Sequence, residues 1–368
     1  MSLPSVLVNL LWCVPGRVGG SEEYLVRQLI GLGELPEPHW RPTAAVARGM
    51  AAAHPELAAV AEVLEPSFRS DSRARRIVGE ATWLRRHSGT AALVHHGGGT
   101  APVHARQPYV LTIHDLQFRT YPQYFSRLKR AYLGALIPPS VRRAAVVAVP
   151  SDYVRDSVVS AFGVAEERVM VVPHGIEPGL AADATPAGEL RERYRLGDGP
   201  IIVYPAVTHP HKRHDFLLQM MRDHWPEPGL RLVLTGGQGL ADAAVAACTD
   251  PRVRRLGRVP AADRNGLLAM ADALVFPSQY EGFGAPLIEA MTLGAPVICS
   301  DATCMPQIVG DAGLVRPLRP EAWVDVLDEV RARRGELVAA GHRRAADFTT
   351  RASGAALAAA YARALQLP

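Results

Sequence analysis

Short runs of uninterrupted apolar residues recur along the sequence, with helical segments between them. Examples are the runs Tyr109 to Ile113, Ile201 to Tyr204 and Ala273 to Phe276. A strand that is apolar on both faces must be covered on both faces, as in a parallel sheet packed between helices. The chain has 368 residues, more than a single core usually holds. The sequence therefore predicts an α/β protein of two domains, each built on a parallel sheet.

Composition and cysteine spacing exclude several classes of protein. Apolar residues make up 48% of the chain and charged residues 21%, which is ordinary for a globular protein. No run approaches the roughly 18 apolar residues of a membrane span. The chain enters a strand almost at once, without a cleavable leader, so we expect a cytoplasmic protein. The four cysteines form no C-x2-C pair, which predicts neither a zinc ribbon nor a disulfide framework.

The positive charge is concentrated in the first half of the chain. Residues 1–175 hold 19 Lys and Arg against 14 Asp and Glu, a net charge of +5, whereas residues 176–368 hold 21 against 22, a net charge of −1. The excess lies around Arg69 to Arg86 and Arg119 to Arg143. A basic face attracts nucleic acid, anionic lipid or phosphorylated substrates, and solvated arginine-rich helices explain it equally well. Basic and aromatic residues alternate over Arg119 to Arg143, as they do on a membrane-contacting surface or on an exposed helix with buried aromatics.

The stretch from Pro277 to Gly294 combines a strand end, a glycine turn and a helix start. Gly282 and Gly284 permit backbone angles and close approaches that a side chain forbids. The predicted helix begins near Ala285 and presents free N–H groups and a positive dipole end, which suit a phosphate. On this helix Glu289 points away from the apolar side, either into a binding site or into solvent.

Other residues with suitable chemistry also follow predicted strands. The strand Ser5 to Leu10 leads through a glycine-bearing loop into a helix near Ser21, which is either a phosphate loop or a plain turn. His95 and His96 follow the strand Ala91 to Val94. His114 precedes Asp115 after the next strand, where a histidine either handles a proton or makes a structural hydrogen bond.

The second half carries a lysine in a comparable position. Lys212 lies in the loop Pro205 to His214, and its compact, flexible charge suits a diphosphate. Three histidines share this loop, but no cysteine or carboxylate completes a zinc site. In the first half, the region from Ala51 to Leu64 favours a helix.

Several of these motifs resemble one family. Glu281 and Glu289, flanking G-F-G-A-P-L-I, resemble the E-x7-E signature of the family 4 glycosyltransferases, retaining enzymes with the GT-B fold. The T-I-H-D-L around His114 resembles the same family, and the P-H-K around Lys212 resembles its mannosyl- and rhamnosyltransferase branch. The resemblance covers nearly the whole chain.

The resemblance implies two Rossmann-like domains whose parallel sheets face each other across a cleft. Residues 1–177 would form the acceptor domain and residues 178–350 the nucleotide-sugar domain, with a linker over 178–185. The C-terminal helix, 351–368, would brace the first domain.

The resemblance also implies roles for single residues. His114 would contact the transferred sugar and Glu281 would lie near the reaction centre, so both are the predicted catalytic residues. Glu289 would hold the ribose. The predicted donor-binding residues are Gly19, Gly20, Lys212, Arg213, Gly257, Val259, Gly282, Phe283, Gly284, Ala285, Leu287 and Glu289. The arginine usual in the family aligns with Val207, so Arg213 or His211 would have to supply the second positive charge.

The predicted function is transfer of a hexose, with retention, from a nucleotide diphosphate sugar such as GDP-mannose. The acceptor would be a glycan, a lipid-linked sugar or a natural product, and no nucleic-acid partner is expected. Because the chain has no D-x-D motif, we expect neither a metal nor a cofactor; backbone N–H groups and Lys212 would stabilise the departing diphosphate. The basic first domain could contact the inner membrane face peripherally. The alternatives are a nucleotide-sugar epimerase, a pseudo-glycosyltransferase and a silent binding protein of the same fold.

Overall fold

The computed structural model describes residues 3–37, 39–106, 108–177 and 179–366. The chain divides into two compact units, Met1–Gly175 with Thr349–Pro368, and Ile176–Phe348. The predicted linker begins at Pro178, which lies outside the described residues. The rest of it belongs to the second unit, where the Thr185 hydroxyl donates to the Asp263 carboxylate at 2.6 Å.

Each unit is Rossmann-like and holds one sheet whose neighbouring strands are all parallel in the described ranges. The strands of the first unit are β1 (Ser5–Leu10), β2 (Arg41–Val46), β3 (Glu62–Leu64), β4 (Leu93–His96), β5 (Tyr109–Thr112), β6 (Val146–Val149) and β7 (Val169–Val171). Those of the second unit are β8 (Ile201–Pro205), β9 (Arg231–Thr235), β10 (Val253–Gly257), β11 (Ala273–Phe276), β12 (Val297–Ser300) and β13 (Gly313–Arg316).

Helices connect most successive strands. They are α1 (Gly20–Gly33), α2 (Met50–Ala53), α3 (Leu57–Val60), α4 (Arg73–Gly79), α5 (Arg85–His87), α6 (Gln117–Thr120), α7 (Arg127–Arg143), α8 (Asp152–Phe162), α9 (Ala187–Arg193), α10 (His214–Asp223), α11 (Asp242–Ala246), α12 (Ala261–Ala269), α13 (Ala285–Thr292), α14 (Met305–Val309), α15 (Val326–Ala345) and α16 (Thr350–Leu365). A single π-helical turn, Glu80–Leu84, joins α4 to α5.

The order of the strands indicates where each sheet is expected to bind a ligand. The first sheet has the order β3-β2-β1-β4-β5-β6-β7, and the second has the order β10-β9-β8-β11-β12-β13. The order reverses direction between β1 and β4 and again between β8 and β11. Ligands of open parallel sheets bind outside the carboxyl ends of the strands at such a reversal. Ligand contacts are therefore expected in the loops that leave these four strands.

Alternate residues of the first sheet contribute to two apolar cores, one on each face. Val8 of β1 packs with Leu25 of α1 and Leu357 of α16. On the other face, Leu111 of β5 packs with Val141 of α7. Burial on both faces is why these strands are almost continuously apolar.

The helix α16 packs closely on α1 through two glycines. A Cβ added to Gly354 would lie 2.0 Å from the Gly31 carbonyl carbon, so the two backbones touch where side chains are absent. The Ser353 hydroxyl donates to the Pro173 carbonyl oxygen at 2.5 Å, and Tyr361 is fully buried. The last helix of the chain is therefore part of the first unit's core.

Two predicted elements of the first unit differ from the structure. The helix expected over Ala51 to Leu64 is replaced by α2, α3 and β3. Pro55 disfavours helical angles at the preceding residue, and His54 has φ −133° and ψ 68°. The strand expected over Ala91 to Val94 begins two residues later and continues through His96, because His95 and His96 pair with β1 and β5.

Candidate active site

The predicted lysine and glutamate meet in the second unit, at the carboxyl ends of β8 and β11. The Lys212 Nζ lies 2.5 Å from the Glu281 Oε1, and the two side chains are only 18% and 12% exposed. The Gln279 N–H donates to the His211 carbonyl oxygen at 2.7 Å and ties the two loops together. The pair therefore forms at the strand-order reversal, from residues 69 positions apart in the chain.

Backbone contacts fix the loop that carries Lys212. The Tyr204 hydroxyl donates to the Lys212 carbonyl oxygen at 2.7 Å, and Pro210–Lys212 forms one 3-10 turn. Arg213 follows with a φ of +52°, in the left-handed region that residues other than glycine rarely adopt. Its Nε donates to the Asp215 Oδ1 at 3.1 Å. The charge of Arg213 is thus already balanced by a neighbouring carboxylate.

Glu281 is held by a loop that the sequence analysis did not single out. The Glu281 N–H donates to the Thr303 Oγ1 at 3.1 Å, and the Cys304 Sγ donates to the Glu281 carbonyl oxygen at 3.4 Å. Thr303 has a φ of +56°. Because β12 lies beside β11, the loop after β12 reaches the same edge of the sheet. The position of Thr303 just beyond a strand end is the signal that could have identified it.

The glycine turn leads into α13 at the predicted residue. Gly284, with a φ of +85°, immediately precedes the helix start at Ala285. The Phe283 and Leu287 side chains are buried, so these residues can offer a ligand only their backbone, whereas Gly282 is half-buried. Within the described ranges, no side chain caps α13. Pro286 has no N–H and the Leu287 N–H donates to the Gly284 carbonyl oxygen at 2.9 Å, so the start of α13 offers an anion mainly its positive dipole end.

The Glu289 side chain is buried rather than exposed to solvent. A solvent-exposed glutamate was one open interpretation, but Glu289 is only 5% exposed. The Arg264 Nη2 of α12 lies 4.0 Å from its Oε1. Arg264 of α12, rather than solvent, therefore lies beside the Glu289 carboxylate. Interpreting Glu289 as a solvated residue was therefore wrong.

Two histidines of the lysine loop, His211 and His214, are neutral near pH 7. Burial and the nearby Lys212 charge lower the pKa of His211 to about 3, and burial lowers the pKa of His214 to about 4. A neutral imidazole can donate one hydrogen bond to a phosphate but cannot supply a second positive charge. Of the two alternatives to the missing family arginine, Arg213 is therefore the one that carries a charge.

Gly257 borders a second feature of this unit, a pocket of about 240 Å³ at the ends of β8, β9 and β10. Gly257 has a φ of +69°, and a Cβ there would meet no atom within 4 Å. The Thr208 hydroxyl donates to the Asp242 Oδ1 at 3.0 Å, and Arg255 pairs with the same carboxylate. Val259, predicted together with Gly257, is not among the residues that line this pocket. The polar lining came from residues that sequence reasoning missed.

In the first unit, Gly19 and Gly20 lie at the end of the loop that joins β1 to α1. Gly19 has a φ of +66° and precedes the helix, and the Gly16 N–H donates to the Glu22 Oε2 at 2.9 Å, which closes the loop. A Cβ on Gly20 would meet no atom within 4 Å, and the φ of Gly20 is ordinary. The fold therefore does not itself require glycine at position 20, and the open space at the helix start could admit a ligand.

His114 lies beyond β5 in a ring of aromatic side chains. Its Nε2 is 2.8 Å from the Gly97 carbonyl oxygen, and the Trp12 and Tyr24 rings lie 5.5 Å and 5.6 Å away. Burial lowers the pKa of His114 to about 4, so the ring is neutral near pH 7. Because a carbonyl only accepts, the proton sits on Nε2, and Nδ1 is left as an acceptor without a partner among the described residues. This geometry favours a hydrogen-bonding role over proton transfer.

His95 and His96 are buried strand residues. The His95 Nδ1 lies 2.9 Å from the Tyr361 hydroxyl, and its Nε2 lies 2.7 Å from the Thr112 Oγ1. The His96 Nδ1 lies 3.2 Å from the Asn9 Nδ2. Burial lowers the pKa of each to about 3. Neither ring can exchange a proton usefully near neutral pH.

Both halves of the chain match models of glycosyltransferase families. The model described as glycosyltransferase family 4 matches residues 18–180, and the model described as glycosyl transferases group 1 matches residues 199–332. The O-antigen chain mannosyltransferase B of Escherichia coli is 30% identical over 233 residues, which make up 60% of this chain and 60% of that protein's length. By sequence, each half of the chain is similar to a glycosyltransferase family model, and neither match spans half of the chain.

Solved structures show the fold of the chain. HepE of Anabaena, solved in complex with UDP and glucose, aligns with a TM-score of 0.73 at 17% identity and covers 98% of this chain and 99% of its own. Sucrose-phosphate synthase of Thermosynechococcus elongatus aligns with a TM-score of 0.72 at 17% identity, covering 98% of both chains. The chain has the GT-B fold, as the sequence predicted.

Two further properties bear on partners of this GT-B chain. Across the described ranges, no group of three or more His, Cys, Asp or Glu side chains is placed to hold a metal ion. In the same ranges, no helix combines the length and the apolar character that crossing a bilayer demands.

Proposed function

We propose that this chain transfers a hexose from a nucleotide diphosphate sugar to an acceptor. The observation that carries the proposal is the Lys212–Glu281 pair, because it places a cation and a carboxylate together where the second sheet reverses its strand order. A diphosphate offers Lys212 a second anionic partner. Glu281 then remains beside the sugar as an orienting group.

The leaving diphosphate is stabilised by fixed positive groups in this proposal. Lys212 supplies a full charge, and the positive dipole end of α13 supplies a partial charge. Gly20 leaves space for a phosphate at the start of α1. The transfer needs no metal on this account, and it proceeds with retention of configuration, as the resemblance to family 4 implies.

His114 orients the transferred sugar. With the proton fixed on Nε2 by the Gly97 carbonyl, the free Nδ1 accepts a hydrogen bond from a sugar hydroxyl. The neutral ring keeps this acceptor throughout the physiological pH range. Glu289, buried beside α12, binds the ribose hydroxyls of the donor.

GDP-mannose or a similar donor is favoured by two independent features. The loop around Lys212 reads P-H-K, and one relative is named a mannosyltransferase. The acceptor is a glycan, a lipid-linked sugar or a natural product, and peripheral membrane contact of the basic first unit stays a prediction.

The test is a panel of GDP- and UDP-linked hexoses, scored by release of the nucleoside diphosphate. We expect release from GDP-mannose or a close analogue, and NMR of the product should show the donor's anomeric configuration. Glu289→Ala should abolish release without lowering the unfolding temperature, while Glu321→Ala, at an exposed position of the same unit, should leave it unchanged. Unchanged release by Glu289→Ala would contradict the site, and formation of the free donor epimer would favour an epimerase.

A further inference from the structure

The first unit contains a partly open pocket of about 270 Å³ that the proposed chemistry does not use. It lies between the π-helical turn, the segment 100–106, β4 and α7. Most of its lining is aliphatic, including Ile77, Leu84, Val94, Ala101, Val103 and Leu136. This aliphatic part of the lining suits hydrocarbon, and polar side chains, among them Ser88, Thr100 and Tyr132, border it.

The rim of the pocket combines exposed apolar groups with the exposed side chains of Arg85, His104 and Arg106. Ile77 is 40% exposed and Val103 is 64% exposed, and both are among the large hydrophobic side chains that the described residues leave open to water. Both line the same pocket. Exposed apolar groups around an apolar cavity are typical of a binding site for an apolar ligand.

One end of the pocket is polar, and the donor and the acceptor of each hydrogen bond there can be assigned. The Asn9 Nδ2 lies 3.1 Å from the Glu80 Oε1 and 3.2 Å from the His96 Nδ1, and the Leu11 N–H donates to the Asn9 Oδ1 at 3.2 Å. The Asn9 amide nitrogen therefore donates to both neighbours. Glu80 and His96 both line the pocket.

This assignment of donors and acceptors leaves one donor and one acceptor for a ligand. His96 accepts at Nδ1, so its proton sits on Nε2, which has no hydrogen-bond partner among the described residues. The edge-on Tyr109 ring lies 5.4 Å away. The Glu80 Oε1 also lies 3.9 Å from the Arg76 Nε, and the second carboxylate oxygen of Glu80 is a further acceptor. A single hydroxyl group can donate to Glu80 and accept from His96.

We propose that this pocket binds the apolar part of the acceptor, a compact hydrocarbon ring or chain that carries one hydroxyl group. This rests on the proposed function for the identity of the ligand as an acceptor. The pocket also adjoins the predicted catalytic histidine in sequence, because His96 precedes Gly97, whose carbonyl oxygen contacts the His114 Nε2. The acceptor is therefore a hydrophobic aglycone or lipid group rather than a uniformly polar glycan.

Two small probes test the ligand class without any turnover. 5,6,7,8-Tetrahydro-2-naphthol carries the ring and the hydroxyl, and tetralin carries the ring alone. We expect ligand-observed NMR titration of the full chain to show binding of both, with the alcohol about ten-fold tighter because it makes the two hydrogen bonds. Equal affinity of the two probes, or binding of methyl α-mannoside in their place, would overturn the proposal.

Three variants locate the binding. Ala81→Phe fills the pocket from the π-helical turn and should weaken both probes at least ten-fold. Ala74→Phe adds the same ring to an exposed position of α4, outside the pocket, and should bind both probes as the parent does. Glu80→Leu should keep tetralin but lose the preference for the alcohol. Equal binding by Ala81→Phe and Ala74→Phe would overturn the proposal even if Glu80→Leu fails to fold.

The result is independent of transfer activity. Probe binding is measured without donor, so a chain that releases no nucleoside diphosphate can still satisfy the pocket test. Conversely, an active transferase that binds neither probe would refute the pocket and leave the proposed function intact.

Discussion

Lys212 and Glu281 balance each other before any donor is bound. Their contact at 2.5 Å, with little of either side chain exposed, means that each needs a counter-charge in the resting protein. A diphosphate that takes over Lys212 leaves Glu281 to interact with the sugar. Binding of the diphosphate and orientation of the sugar are therefore coupled through Lys212.

Replacing Lys212 by methionine tests this coupling. The variant keeps the length of the side chain but removes its charge, so the departing diphosphate loses its full positive partner. We expect kcat/KM for the preferred donor to fall by about 10² to 10³-fold, as for removal of a single stabilising group at a reaction centre. Steady-state measurement of nucleoside diphosphate release gives the value.

The control for this variant is Arg222→Met. Arg222 is 70% exposed at the end of α10 and pairs with the neighbouring Asp223, so its loss should not change the rate. A Lys212→Met rate within two-fold of the Arg222→Met rate would show that Lys212 does not serve the leaving group.

Sequence reasoning at the residue scale predicted where the candidate side chains lie in the fold better than it predicted their surroundings. It placed Glu281, Gly284 and Lys212 at the ends of strands, where the structure has them. It did not find Thr303, because its position just beyond β12 was the only signal and the loop there carries no motif. The burial of Glu289 depends on α12, which the projection of one helix does not include.

At the scale of elements, strands that are buried on both faces were the most predictable. Ala273 to Phe276 forms β11 with the predicted limits, because an apolar run closed by a proline leaves little choice. The prediction failed over Ala51 to Leu64, where alanine favours helix locally but β3 pairs with β2. Pairing between distant strands outweighs local propensity there.

The contact between α1 and α16 gives an element-scale prediction. Gly354→Ala would place a methyl group within 2.0 Å of the Gly31 backbone, so the helices must separate. We expect the free energy of unfolding of the first unit to fall by roughly 1–3 kcal/mol, the usual cost of overpacking. Urea denaturation followed by circular dichroism measures the change.

Gly335→Ala is the matched change on α15. A Cβ at Gly335 meets no atom within 4 Å, so the better helix propensity of alanine should raise stability by up to about 1 kcal/mol. If both variants were stabilised alike, the close approach of α1 and α16 would not hold in solution.

At the scale of the whole molecule, buried histidines make stability depend on pH. In the described residues, burial lowers the pKa of six of them, to about 3 or 4 for five and well below the ordinary value for His174. Their ordinary pKa is about 6.5. The unfolded chain therefore binds protons below pH 6.5 that the folded chain does not, so stability is fully present above that pH and falls as the pH falls towards 4.

Calorimetry at pH 7.5, 6.0 and 5.0 should show this loss. Once the unfolded chain is protonated, each histidine lowers the free energy of unfolding by about 1.4 kcal/mol for every pH unit of further acidification. Four of the six belong to the first unit (His95, His96, His114 and His174), and two belong to the second (His211 and His214). We expect the transition of the first unit to move to lower temperature more steeply than that of the second. Transitions that stay fixed from pH 7.5 to 5.0 would contradict this account.

The position of α16 in the chain has a consequence for biosynthesis. The second unit is continuous in sequence, so a ribosome releases all of it before the final helix emerges. The first unit, although translated first, must wait with the α1 surface of its core uncovered until Thr350–Leu365 has left the exit tunnel. The N-terminal half therefore completes its folding after the C-terminal half, and during synthesis its exposed apolar surface is the part that a nascent-chain chaperone would shield.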